Sequence, residues 1–120
     1  MDIRIPSLLR IKPDTLFKLG KYLRKHGFDR IALCYGEGIE ELVGRSIRIS
    51  LDSSEITVVR QEVVHSNDVT DIMGVAFHLP RGTQAVVAVG GGVAVDAGKY
   101  IGFLNQLPVV AVPTAISNDG

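Results

Sequence analysis

Three consecutive glycines, Gly90-Gly91-Gly92, follow the apolar run Ala85-Val86-Val87-Ala88-Val89. Val93, Ala94, Val95, Asp96, Ala97, Gly98 and Lys99 come next, and Tyr100, Ile101 and Leu104 continue an apolar stripe at helical spacing. Glycines between a buried strand and a helix let the backbone approach a ligand with no Cβ in the way. They also present free N–H groups at the positive end of the helix. A pyrophosphate suits such a turn. The alternative is a purely structural turn, in which Asp96 complements the helix dipole and pairs with Lys99 on the next turn.

Two better-known phosphate loops are excluded by spacing. A P-loop reads G-x-x-x-x-G-K-[S/T], but Gly92 and Gly98 stand one residue too far apart and Tyr100 follows Lys99. For the dinucleotide fingerprint G-x-G-x-x-G, counted from Gly90, the last glycine would fall on Val95, and that motif belongs on a first strand. A second polar loop, Pro113-Thr114-Ala115-Ile116-Ser117-Asn118-Asp119-Gly120, follows the next apolar run. Alone it reads as a turn with a proline kink and Asx bonding. Together the two loops put hydroxyls, an amide and a carboxylate beside the glycine turn.

The elements that must position these loops show as four apolar runs, at 31–35, 56–59, 85–89 and 109–112. Near-continuous apolarity marks strands buried on both faces. Between the runs lies helical spacing: Leu16, Leu19 and Leu23, with Lys18, Lys21, Arg24 and Lys25 turned to water, and Val69, Ile72, Met73 and Ala76. Ser66-Asn67-Asp68 is an entry cap for the latter helix, and Pro80 lies past its exit. Segment 38–51 carries both a helical pattern (Ile39, Leu42, Val43, Ile47) and an alternating one (Ile47, Ile49, Leu51), and helix ending near Ser50 is favoured. Strand–helix alternation predicts a doubly wound parallel α/β sheet, Rossmann-like, with helices on both faces, as one domain over 1–120. Ligands in such sheets bind beyond the carboxyl ends of the strands. Ending in mid-loop, the chain reads as part of a longer protein.

At 120 residues, 46% hydrophobic, with 13 acidic and 13 basic side chains, the chain can bury one core. The charge balance favours neither nucleic acid nor an anionic membrane as partner. Cys34 is the lone cysteine and sits inside an apolar run, so no internal disulfide forms. No signal peptide or membrane-spanning run is visible, and a cytoplasmic protein is expected.

Taken together, Gly90-Gly91-Gly92-x-x-x-Asp96-x-x-Lys99 and Val112-Pro113-Thr114-x-x-Ser117-x-Asp119-Gly120 resemble the iron-containing alcohol dehydrogenase and glycerol dehydrogenase superfamily, nearest its glycerol-1-phosphate dehydrogenase branch. The resemblance implies hydride transfer between NAD or NADP and a small polyol or polyol phosphate, with a divalent zinc or iron polarising the oxygen. By motif position it assigns Gly91, Gly92, Val93, Ala94 and Asp96 to the cofactor pyrophosphate. Thr114 and Ser117 fall on the cofactor groove and Asp119 on the substrate. The metal ligands of the family lie on a helical carboxyl-terminal domain, so none is expected in this chain, which alone should not turn over substrate. His26, His65 and His78 lack ligand spacing and read as surface or capping residues. Glu37, after Tyr35-Gly36, suits an adenosine ribose, or equally the first turn of a helix, and leaves NAD and NADP unseparated. Self-association into a homo-oligomer is left open. Two other readings stand beside this one. The first is a dehydroquinate-synthase-like cyclase, disfavoured by Lys99 where those enzymes carry Gly, and the second is a nucleotide-binding module without catalysis.

Overall fold

The computed structural model describes residues 8–10, 13–65 and 69–114. β1 (Leu8–Arg10) is followed by a 3-10 segment, Pro13–Lys18, that runs into α1 (Leu19–Lys25). Next come β2 (Arg30–Gly36), α2 (Ile39–Ser53), β3 (Thr57–Val64), α3 (Val69–Phe77), β4 (Ala85–Gly90), α4 (Gly92–Asn105) and β5 (Val109–Pro113). Among the described residues the strands form one five-stranded sheet, ordered β1-β5-β4-β2-β3, with every neighbouring pair parallel. This is the doubly wound α/β arrangement that the alternating pattern predicts.

Side-chain alternation sends each strand's apolar residues to two cores. On one face Ile31, Leu33, Tyr35, Val87, Val89, Val110 and Val112 pack against Leu19 and Leu23 of α1 and Ile47 and Leu51 of α2. On the other, Cys34, Val86 and Val109 meet Ile72 and Ala76 of α3 and Ala97 and Ile101 of α4. Both faces are covered, so β4 is buried at all six positions and shows no polar alternation. For such a strand hydrophobicity alone cannot fix which residue faces which helix. Size does so here: a Cβ on Gly98 would lie 2.6 Å from Ala88 Cβ, so α4 approaches β4 only where two small residues meet.

That close approach corrects the expected helix stripe. Ile101 is buried, but Tyr100 is 42% and Leu104 41% exposed. The buried face of α4 consists of Ala94, Val95, Ala97, Gly98, Ile101 and Gly102. Small residues hold the contact line, and the larger apolar ones are displaced outward.

Two further differences have physical causes. β1 escapes sequence analysis because three residues carry no periodicity, yet it pairs with β5 and makes β5 an internal strand. β3 extends to Val64, well beyond the apolar run at 56–59. A register shift against β2, from Ile31↔Val58 to Ala32↔Arg60, leaves Val59 as an extra residue, as in a β-bulge. Polar residues are tolerated beyond it because β3 is an edge strand. Arg60 pairs with Glu62, while Gln61 reaches α2, donating to Glu40 and accepting from Arg48. The segment 38–51 is helical as favoured, with α2 running to Ser53. The cap Ser66-Asn67-Asp68 lies outside the described residues. No helix among the described residues is long and apolar enough to cross a membrane.

Ser50, buried in α2, ties that helix to the start of α1. Its Oγ accepts from Gly20 N–H at 2.8 Å and donates to Phe17 O at 3.0 Å. Ser50→Ala leaves both backbone groups without this partner and should cost about 1–3 kcal/mol, read as a lower urea midpoint with unchanged slope. No loss of stability would show that water replaces the hydroxyl.

Cys34 is a free, buried thiol whose pKa burial pushes up to about 12, with Glu62 adding to the rise and Arg60 opposing it. Burial and Glu40 likewise raise the Tyr35 hydroxyl to about 12, against Arg48. For both groups the folded value exceeds the unfolded one, so the unfolded chain releases these protons first and stability falls as pH rises. The expected window runs from the ordinary thiol value of 9.0 up to about 12. Ultraviolet titration should show no thiolate in the folded chain until near the top of that window, and early thiolate absorbance would contradict this burial.

Candidate functional site

The crossover from β2 through α2 leads to β3 on one side, while that from β4 through α4 leads to β5 on the other. α2 and α4 therefore cover opposite faces, and the carboxyl ends of β2 and β4 part at a topological switch point. A groove of about 270 Å³ opens there, bounded by Gly36, Glu37 and Ile39 after β2, by Val64 and His65 at the end of β3, and by Gly91–Ala94.

The floor of the groove is backbone. Gly90 adopts φ +147°, and a Cβ on it would lie 3.1 Å from Gly36 N and 3.0 Å from Ala94 Cβ. Only glycine meets both demands. The chain then turns at Gly91 and enters α4, where Val95 N–H donates to Gly91 O at 3.0 Å. The Gly92, Val93 and Ala94 amides precede the first residue able to bond within the helix. No side chain caps this terminus, and no acidic residue stands in its first turn. Three open donors at the positive end of a 14-residue helix, reached over glycine backbone, fit a pyrophosphate.

Gly91, Gly92, Val93 and Ala94 thus come together where the sequence places them. Asp96 stands a turn further on, 66% exposed, its Oδ1 3.8 Å from Lys99 Nζ, as in the structural alternative for that pair. Thr114 is buried, and its N–H donates to Gly90 O at 3.1 Å, so the Pro-Thr loop is fastened to the glycine turn. Ser117 and Asp119 lie outside the described residues. Glu37 borders the groove, and its Oε2 is 3.1 Å from His65 Nδ1.

His65 is the groove residue that sequence analysis misses. It directly follows β3, so the rule that ligands gather beyond strand ends would have found it, had β3 been read to its true end. A larger hollow, about 460 Å³, lies between β3 and α3 and shares Val64 and His65 with the groove. Its charged groups are already engaged. Arg60 bonds Glu62 and donates to His78 O at 2.9 Å, and His78 Nδ1 lies 2.6 Å from Gly74 O. His26 sits exposed between the rings of Tyr22 and Phe28. Among the described residues no three of His, Cys, Asp and Glu gather as a metal site.

A parallel doubly wound sheet with an uncapped, glycine-led helix at its switch point defines an α/β domain of the dinucleotide-binding architecture. The sequence profile of the iron-containing alcohol dehydrogenases matches residues 10–120, and the chain belongs to that family. It is 31% identical over 120 residues to the glycerol-1-phosphate dehydrogenase (NAD(P)+) of Thermofilum pendens, covering 100% of this chain and 34% of that protein. It is 28% identical over 118 residues to the glycerol dehydrogenase of Citrobacter freundii, covering 98% and 32%. The chain thus spans about a third of the length of these curated relatives. Among solved structures, glycerol dehydrogenase from Schizosaccharomyces pombe shares the fold at a TM-score of 0.74 and 21% identity, over 93% of this chain and 29% of that one. NADH-dependent butanol dehydrogenase A from Thermotoga maritima does so at 0.73 and 20%, over 95% and 34%.

Gly90→Ala forces a side chain onto positive φ and against the Gly36 backbone, and should cost about 1–3 kcal/mol. Gly92, where a Cβ meets nothing within 4 Å, is the control, and Gly92→Ala should leave stability within about 0.5 kcal/mol of the parent. Equal urea midpoints for the two variants would show that the turn is not constrained as described.

Proposed function

We propose that this chain is the cofactor-binding half of a metal-dependent, NAD(P)-linked dehydrogenase, which moves a hydride between the cofactor and a polyol or polyol phosphate. Glycerol, or the pair glycerol 1-phosphate and dihydroxyacetone phosphate, is the substrate class. The observation that carries the reading is the uncapped terminus of α4 behind Gly90, at the switch point of the sheet. Family membership and the activities that the relatives' names state support it.

In this reading the Gly92, Val93 and Ala94 amides bind the pyrophosphate, and Gly91 lets it approach the backbone. Glu37, on the β2 side, accepts the adenosine ribose hydroxyls. Thr114 and Ser117 line the groove on the β5 side, Asp96 belongs to the cofactor set by motif position, and Asp119 contacts the substrate hydroxyls. When bound, the nicotinamide supplies hydride exchange with the carbinol carbon, and zinc or iron supplies Lewis-acid polarisation of its oxygen. The metal ligands belong to parts of the protein beyond this chain. A cytoplasmic setting accords with the free thiol of Cys34.

Titration of the isotopically labelled chain with NADH, and separately with ADP-ribose, should shift the amide resonances of Gly91 to Ala94 and of Thr114. The longer, metal-loaded protein should reduce dihydroxyacetone phosphate or a similar hydroxyketone with NAD(P)H. Absence of amide shifts at millimolar ligand would remove the cofactor assignment. A metal-loaded protein inactive on all such ketones would remove the substrate class.

A further inference from the structure

We propose that His65 is a specificity-determining residue: by partnering Glu37 at the adenosine ribose, it lets the groove accept NADP as well as NAD. The inference rests on the dinucleotide reading of the groove and adds to it the basis of cofactor choice.

The geometry begins with the sheet. β2 and β3 are parallel neighbours whose register pairs Gly36 with Val64, so the next residues, Glu37 and His65, leave the two strand ends side by side. His65 Nδ1 then lies 3.1 Å from Glu37 Oε2, and the two side chains remain 69% and 71% exposed. Both border the groove that holds the open amides of α4. The β2–β3 side of the groove, bordered by Glu37 and His65, is open to one of the two riboses of a dinucleotide whose pyrophosphate rests on those amides.

A carboxylate at that place accepts the 2′-hydroxyl of NAD and repels the 2′-phosphate of NADP. Glu37 alone would therefore make the site selective for NAD. An imidazole changes the balance, because its two ring nitrogens can partner the carboxylate and the ligand at once. As a neutral donor through Nδ1–H it orients Glu37 towards a ribose hydroxyl. Protonated, it offsets the carboxylate charge and offers Nε2–H to a phosphate oxygen. Binding of the 2′-phosphate thus favours the protonated ring, whereas binding of the 2′-hydroxyl does not.

Other charged groups around the ring are committed elsewhere. On β3, Arg60 and Glu62 pair with each other. On α2, Glu40 accepts from Gln61, and on α4, Asp96 faces Lys99. At the exit of α3, His78 Nδ1 lies at Gly74 O. Among the described residues, Glu37 is the charged group in contact with the His65 ring.

The test measures the affinities of NADH and NADPH for the purified protein by calorimetry, at one mildly acidic and one mildly alkaline pH. His65→Ala should weaken NADPH about tenfold, as for one lost charge-assisted contact, and leave NADH within about twofold. In the parent, NADPH affinity should rise on acidification and NADH affinity should not. His65→Gln, which keeps a donor to Glu37 without the charge, should retain NADH binding and lose this pH dependence. Equal loss of both cofactors in His65→Ala, or an unchanged ratio at both pH values, would overturn the inference while leaving the dinucleotide site in place. A folded parent that binds neither NADH nor ADP-ribose would instead overturn the reading beneath it.

Discussion

Gly36 and Gly90 touch backbone to backbone at the ends of two adjacent parallel strands, and the rest of the site is arranged around that contact. A side chain on Gly90 would meet Gly36 N at 3.1 Å, so the strands close up at this point because Gly90 carries none. From there the chain departs in opposite directions, through α2 on one face and α4 on the other. The space between the departing helices is the groove. Parallel pairing creates it, and the absent side chains bring backbone donors to its floor.

The same economy of side chains recurs beneath α4. Gly98 faces Ala88, and a Cβ on Gly102 would collide with the Val109 side chain, so the helix lies close on the sheet along a line of small residues. This closeness holds the helix terminus over the ends of β4 and β5. Thr114 N–H on Gly90 O and the pairing Gly90↔Pro113 then bind the two loops into one piece. Phosphate binding at a helix start needs amides fixed in direction as well as free of partners, and this packing fixes them.

How far all this could be read from sequence depended on how many neighbours each segment has. β2, β4 and β5 are internal strands, buried at most positions, and their unbroken apolar runs announced them. β3 and β1 are edge strands. β3 admits Arg60, Gln61 and Glu62, which look like a loop in one dimension, and β1 is too short to show a period. The glycine turn was legible because its geometry is local: Gly91 to Ala94 are contiguous, and what they offer is backbone N–H groups. His65 was not, because its place beside Glu37 follows from strand register, which the bulge at Val59 resets and no local pattern records. The outward turn of Tyr100 and Leu104 was also hidden, since the spacing of a helix does not tell which of its apolar residues fit a close contact.

The groove therefore has two ends of unequal stiffness. The end at the glycine turn stands on β4, which is buried at every position and hydrogen-bonded to a strand on each side. Its other end stands on the last residues of β3, an edge strand with one neighbour and side chains that alternate between exposed and half-buried. Local opening costs least where buried contacts are fewest. A guest that fills the groove meets a rigid anvil under one half and a compliant spring under the other, and differences between guests are absorbed at the spring.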